Sequence, residues 1–276
     1  MNKKLMGLTL AAVLLLVPAF TGCSSGSKTA SEDSLADGVL SVAVDDTYLP
    51  MEFRDDQNEL VGFDIDFANA LAEQLGVKVE FKTVSWDGIF NGLTAKQYDA
   101  IISSTSITPE RLASFSMTNP YISNGIVIVS RKDAAPVTTF KELEGKTLGA
   151  QIQTTADIAA GKLKEQEGVN VEIKEYDGML DAFAALQGKQ IDNVITDVGV
   201  AKYYVAQNPD LFVVSSDVLT NEPIGITSRL DDTATTKKFN EAIKTLQENG
   251  KLTEISMKWF NEDMTKDINT KLSVVE

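Results

Sequence analysis

The sequence predicts an α/β protein of two similarly built lobes joined by two chain crossings. Three observations carry that reading. From Gly38 onward, short β-branched runs alternate with helical patterns in a βαβαβ order, which implies a parallel sheet covered by helices on both faces. Residues 76–80, 87–88 and 96–102 recur in order as 168–172, 177–178 and 189–195, at offsets of 92, 90 and 93, so a second unit of the same design follows the first. The last two helical patterns need a sheet to pack on, and returning them to the first lobe requires a second crossing. A length of 276 residues agrees with about two domains.

Each element follows from local chemistry. Asn2, Lys3 and Lys4 form a short positive start, and residues 5–20 are an apolar run too short for the roughly 20 residues of a spanning helix. Small residues follow up to Gly22 and Cys23, so residues 1–22 read as a secretory signal rather than a permanent anchor. Residues 23–37 are Ser-, Gly-, Lys- and Thr-rich and read as a flexible tether. A strand is predicted over 39–44. Asp64 then caps a helix with Ile65, Ala68, Leu71 and Leu75 on one face, and Gly76 stops it. A strand over 77–81, a helix over 87–95 and a strand over 99–103 complete the first unit. The second opens with a strand over 126–130, residues 223–226 read as a return strand, and helices over 232–249 and 252–260 close the chain. The predicted division is 38–124 plus 222–276 for lobe one and 125–221 for lobe two.

Composition removes much chemistry. The chain carries 25 Lys and Arg against 40 Asp and Glu, a formal charge of −15, and so lacks the cations that displace counterions from nucleic-acid phosphates. With no histidine it has no imidazole base, Ser-His triad or imidazole metal ligand. One cysteine, Cys23, excludes intrachain disulfides and Cys-rich zinc sites. No cofactor or metal is predicted.

In open α/β sheets, ligands bind beyond the carboxyl ends of strands, where helix N-termini also point. Residues 103–111 follow an apolar strand. Thr108 suits an N-cap and Pro109 the first helical position. Arg111 then meets the positive end of the helix dipole, which costs about 0.3–1 kcal/mol unless an anion compensates. Two readings are open: a carboxylate ligand gripped by Arg111 and the Ser106 region, or a surface pairing with Glu110 or another acid. Thr154 and Thr155 offer hydroxyls and N–H groups at another helix start, as caps or as ligand donors. Asp197 is either the N-cap of a helix over 198–206 or an anion for an ammonium group. In the internal repeat it falls where Ser104 falls, so both would edge one cleft from opposite lobes. Tyr48 and Trp86 read as core lids or as walls for a side chain. Asp45 reads as a turn residue or a cleft acid.

Together these stretches resemble the extracellular solute-binding proteins of amino-acid ABC transporters, the family that includes histidine-, lysine/arginine/ornithine- and glutamine-binding proteins. The resemblance covers about 39–261, and residues 62–66 (GFDID) and 103–111 (SSTSITPER) are its most specific parts. It implies the two-lobed type II periplasmic-binding-protein fold, hinged at the crossings. It implies that Arg111, helped by Ser106 and Thr155, grips the α-carboxylate of a free amino acid, while Asp197 and Ser104 hold the α-ammonium. Tyr48 and Trp86 would enclose the side chain, and Asp45 would face a side-chain cation. The implied role is the substrate-binding subunit of an importer, a monomer and not an enzyme, that delivers its ligand to a membrane permease and ATPase by cleft closure.

Residues 20–23 likewise resemble the lipobox of bacterial lipoproteins. That implies a lipid on Cys23 and a place on the outer face of the cytoplasmic membrane, the periplasmic side in a Gram-negative envelope. Asp45 and Asp46 beside aromatic walls favour a basic amino acid (arginine, lysine or histidine), with glutamine or cystine as the alternative. A cyclohexadienyl dehydratase shares the fold but needs a further positioned acid, and the sequence shows none beyond Asp45, Asp46 and Asp197. A sensor on the same fold would use the same pocket.

Overall fold

The computed structural model describes residues 34–275. The signal over 1–22, Cys23 and the tether up to residue 33 lie outside the described residues. The first sheet begins with β1 (Val39–Val44), whose Leu40, Val42, Ala43 and Val44 are buried. A small antiparallel sheet of β2 (Thr47–Tyr48), β3 (Glu52–Arg54) and β4 (Leu60–Val61) follows, then α1 (Phe63–Leu75), β5 (Lys78–Thr83), α2 (Trp86–Thr94), β6 (Ala100–Ile101), α3 (Pro109–Ser114) and β7 (Phe115–Met117). The second sheet is made by β8 (Ile126–Arg131), β9 (Thr147–Gln151), α4 (Thr155–Glu167), β10 (Glu172–Tyr176), α5 (Met179–Gln187), β11 (Asn193–Asp197), α6 (Val198–Gln207) and β12 (Phe212–Val214). The chain then returns to the first sheet as β13 (Thr227–Arg229) and ends with α7 (Thr233–Glu248) and α8 (Lys251–Phe260).

The two sheets repeat one plan. Their orders are β5-β1-β6-β13-β7 and β10-β9-β11-β8-β12. In each, three parallel strands are extended by two more, with an antiparallel strand beside the third. The all-parallel expectation is therefore corrected: β13 and β8 each run against the other four strands of their sheet. The internal repeat reaches the backbone too. Gly76 and Gly168 end α1 and α4 at φ +70° and +65°, and Lys96 and Lys189 both stand at φ +58°, the left-handed geometry that stops a helix.

The chain passes between the sheets twice, over residues 118–125 and 215–226. These crossings are hydrogen-bonded to each other: Tyr121 N donates to Ile224 O at 2.9 Å, Ile224 N to Ile122 O at 3.0 Å, and Glu222 N to Asn124 O at 3.0 Å. Residues 223–226 thus belong to the crossing, and the return strand starts only at Thr227. Space there is tight, because a Cβ at Gly125 would come 2.4 Å from Thr220 O.

A second correction concerns Asp64. Helix α1 is preceded by Gly62 at φ +144°, with no side-chain cap, and a Cβ on Gly62 would meet Met51 O at 2.1 Å. Asp64 lies inside the first turn and is fully buried. Its carboxylate turns inward rather than capping.

Candidate functional site

The carboxyl ends of β1, β6, β9 and β11 converge on one small cavity. Asp45, Tyr48, Trp86, Ser104, Ser106 and Arg111 line it from the elements of the first sheet, and Thr155 and Asp197 from those of the second. Every amino-acid contact expected from the sequence therefore borders one space.

Hydrogen bonds across the cleft shut that space. Gln151 Nε2 donates to Asp45 Oδ2 at 2.6 Å, Trp86 Nε1 to Gln153 O at 3.2 Å and Ser104 Oγ to Asp197 Oδ2 at 3.3 Å, while the hydroxyls of Ser106 and Thr155 are 3.4 Å apart. The sheets are thus seen in a closed arrangement. The rim is tight as well, since a Cβ on Gly178, before α5, would sit 2.8 Å from Thr47 Oγ1 on β2.

Arg111 is placed by the start of α3. Thr108 caps the helix by accepting from Arg111 N at 3.2 Å, with Pro109 next, as the sequence predicts. The guanidinium curls back, donating from Nη1 to Ser106 O at 2.8 Å, and lies 5.5 Å from the Trp86 ring centre and 5.1 Å from that of Phe90. Aromatic faces attract a cation without neutralising it. Burial lowers the Arg111 pKa to about 10, against the pull of Glu222 and Asp197, and even so it stays charged at neutral pH. The alternative pairing with Glu110 does not occur: among the described residues Arg111 has no ion pair.

Asp197 stands at the N-cap position of α6 without making a side-chain cap bond. Its carboxylate instead faces the cleft and accepts from Ser104. Burial raises its pKa to about 6, opposed by the neighbouring polar side chains of Asn124, Tyr48 and Ser104 and reinforced by Glu222. Asp45 is also buried and also raised, mainly by desolvation, although Thr47 and Gln151 donate to it. Asp46 does not join the site. It turns outward to Arg54 Nε at 2.7 Å.

The cavity also contains residues that the sequence reading did not commit to. Ser103 lies in the stretch already singled out, Thr154 is the cap of α4, and Gln151 ends β9. Glu52 is different. It lines the cavity with no exposed surface and accepts from Ser103 Oγ at 2.7 Å. This corrects the expectation that no cleft acid exists beyond Asp45, Asp46 and Asp197. Its only signal was an acid beside apolar Met51 and Phe53, which a strand pattern assigns to the solvent face. Among the described residues no group of His, Cys, Asp and Glu is placed to hold a metal ion.

Residues 40–262 match the model of the bacterial extracellular solute-binding proteins, family 3. The chain belongs to this family. It is 34% identical over 225 residues to ABC transporter arginine-binding protein 1 of Escherichia coli strain K12, covering 80% of this chain and 90% of the relative. It is 30% identical over 230 residues to the L-cystine-binding protein TcyJ of the same organism, covering 83% and 85%. The crystal structure of an ABC uptake transporter substrate-binding protein from Streptococcus pneumoniae with bound histidine superposes with a TM-score of 0.78 at 31% identity, covering 85% of this chain and 97% of that one. The fold is accordingly the two-lobed type II periplasmic-binding-protein fold, with the two sheets as its lobes.

Proposed function

We propose that the cavity captures a basic amino acid for import, Arg111 gripping the α-carboxylate with Ser106 and Thr155, and Asp197 with Ser104 holding the α-ammonium. One observation carries this reading. A cation from one lobe and an anion from the other border the same closed space, and among the described residues neither has an ion-pair partner. Asp197 is buried and Arg111 half-buried, at a cost that a zwitterion would offset at both ends at once. Both charges are paired only when the lobes meet, so ligand favours the closed form. Lobe one (38–124 plus 222–276) and lobe two (125–221) would pivot on the two crossings. Closure is then the signal read by a membrane permease and its ATPase, and the chain acts as a monomeric carrier rather than an enzyme.

Tyr48 and Trp86 would flank the side chain, and Asp45 would meet its cation. The relatives named for arginine and histidine support this choice. A neutral polar ligand, glutamine or cystine, is the second reading. It is favoured by Gln151, which already donates to Asp45 at 2.6 Å, and by the cystine-binding relative. Thermal shift with arginine, lysine, histidine, glutamine and cystine separates the two, because at equal concentration a ligand raises the melting temperature by an amount that grows with the logarithm of its affinity. The basic reading expects the largest shift from one of the first three. A shift from cystine or glutamine alone would replace it.

Export through residues 1–22 and a lipid on Cys23 complete the proposal. Cys23→Ser should move the protein from the membrane fraction to the medium or periplasm.

A further inference from the structure

We propose that Glu52 carries a proton and shares it with Asp64, and that this buried pair is the device that fixes Ser104 at the ammonium end of the cavity. The inference rests on the amino-acid-binding reading of the cavity, and it concerns residues outside the zwitterion contacts named above.

The geometry begins with two carboxyl groups that have no exposed surface and, among the described residues, no cation. They are held side by side. Gly62 brings the start of α1 against β3, where an added Cβ would lie 2.8 Å from Glu52 Cα, and Asp64 N donates to Met51 O at 2.8 Å. Consecutive residues then bind the two acids. Ser103 Oγ donates to Glu52 Oε1 at 2.7 Å and Ser104 N donates to Asp64 Oδ2 at 2.6 Å. Asp64 Oδ1 also accepts from Tyr121 OH at 2.8 Å. One atom is left over. Glu52 Oε2 is buried with no hydrogen-bond donor near it.

A proton on that atom resolves the arrangement. Two adjacent carboxylates in a dry site cannot both be charged. Asp64, with donors on both oxygens, is the better anion, and Glu52, with one donor, is the better acid. Burial and the neighbouring Asp64 charge raise the Glu52 pKa well above the usual carboxylate range. The other titratable groups facing the pair are Asp45 after β1, Tyr48 on β2 and Tyr121 in the first crossing. Arg111 and Asp197 border the same cavity from other elements. Glu52 Oε2–H then donates to Asp64, and Asp64 holds the Ser104 N–H.

That hold has a purpose. Ser104 stands at φ +44°, a conformation unfavourable for a side chain, and in it Oγ reaches Asp197 across the cleft at 3.3 Å. The pair is thus a positioning device for the ammonium subsite, and its member that lines the cavity, Glu52, is neutral while the one negative charge stays on Asp64 behind it.

The test uses ligand-free protein first. The carbon-13 carboxyl resonance of Glu52 should remain that of the acid through neutral pH. The wild-type melting temperature should fall as pH rises above neutrality, because the folded state binds a proton that the unfolded chain has already released. Glu52→Gln keeps an N–H donor for Asp64 and an acceptor for Ser103, so it should flatten that decline and bind amino acid within about threefold of wild type. Glu52→Ala removes the donor and should weaken binding about tenfold. A Glu52 resonance that titrates in the ordinary glutamate range would overturn the proposal, as would a Glu52→Gln protein that loses binding as fully as Glu52→Ala. The resonance and the melting profile need no ligand. If they come out as expected and no amino acid binds, the pair stands and the functional reading falls.

Discussion

In the second lobe, β9 passes into α4 through residues 152–154, and Thr154 caps the helix directly. The equivalent link in the first lobe, from β1 to α1, runs through residues 45–62, carries the small β2–β4 sheet and leaves the helix start to Gly62 without a side-chain cap. The same plan therefore yields two kinds of wall. The short link presents Thr154 and Thr155 beside Gln151, generic donors at a helix N-terminus. The long link delivers Asp45, Tyr48 and Glu52, side chains that differ in charge, shape and proton content. Ligand selection should reside mainly in the first lobe. On the proposed reading the second lobe would supply the ammonium anion, and its Gln151, Gln153 and Thr155 make contacts that close the cleft.

Substitutions that remove one side of this division should break it unequally. The largest effect is expected from Arg111→Ala, which leaves the ligand carboxylate without its cation. Calorimetry should show a loss of about 2–5 kcal/mol in binding with little change in the melting temperature of the free protein. Next comes the anion. Burial raises the Asp197 pKa to about 6, and an ammonium favours its ionised form. Affinity should be full above that value and fall as pH drops through it, approaching tenfold per pH unit. Asp197→Asn should remove this acid limb while binding weakly at every pH.

A steric probe sharpens the comparison. Gly178 has φ −138°, where alanine is unstrained, yet in the closed arrangement its Cβ would lie 2.8 Å from Thr47 Oγ1. Gly178→Ala should leave the free protein's stability unchanged and weaken binding by about 1–3 kcal/mol, read by calorimetry. The smallest effects belong to Ser106→Ala and Thr155→Ala, each about 0.5–1.5 kcal/mol of binding for a neutral hydrogen bond.

The parts of this molecule legible in the sequence are those fixed by local rules. Thr108 and Pro109 announced α3 and placed Arg111, and a positive charge at a helix start pointed to a missing anion. The internal offset of 93 residues paired Ser104 with Asp197, which do meet across the cleft. What escaped was set by tertiary packing. Asp64 has the sequence signature of a cap, but Gly62 must pass against Met51, and that approach turns the Asp64 carboxylate inward. Glu52 looked like the solvent face of a strand, yet the three-stranded insertion folds it into the cavity. Residues 223–226 read as a strand because they are apolar, whereas their partner is the other crossing.

The central claim is that the closed cavity recognises both ends of a zwitterion, one from each lobe. Titration calorimetry with the preferred amino acid, its α-amide and its Nα-acetyl derivative tests it most directly. Either modification should abolish measurable binding, because each leaves Arg111 or Asp197 buried without its counterpart. Derivatives that bind as tightly as the parent amino acid would contradict the account.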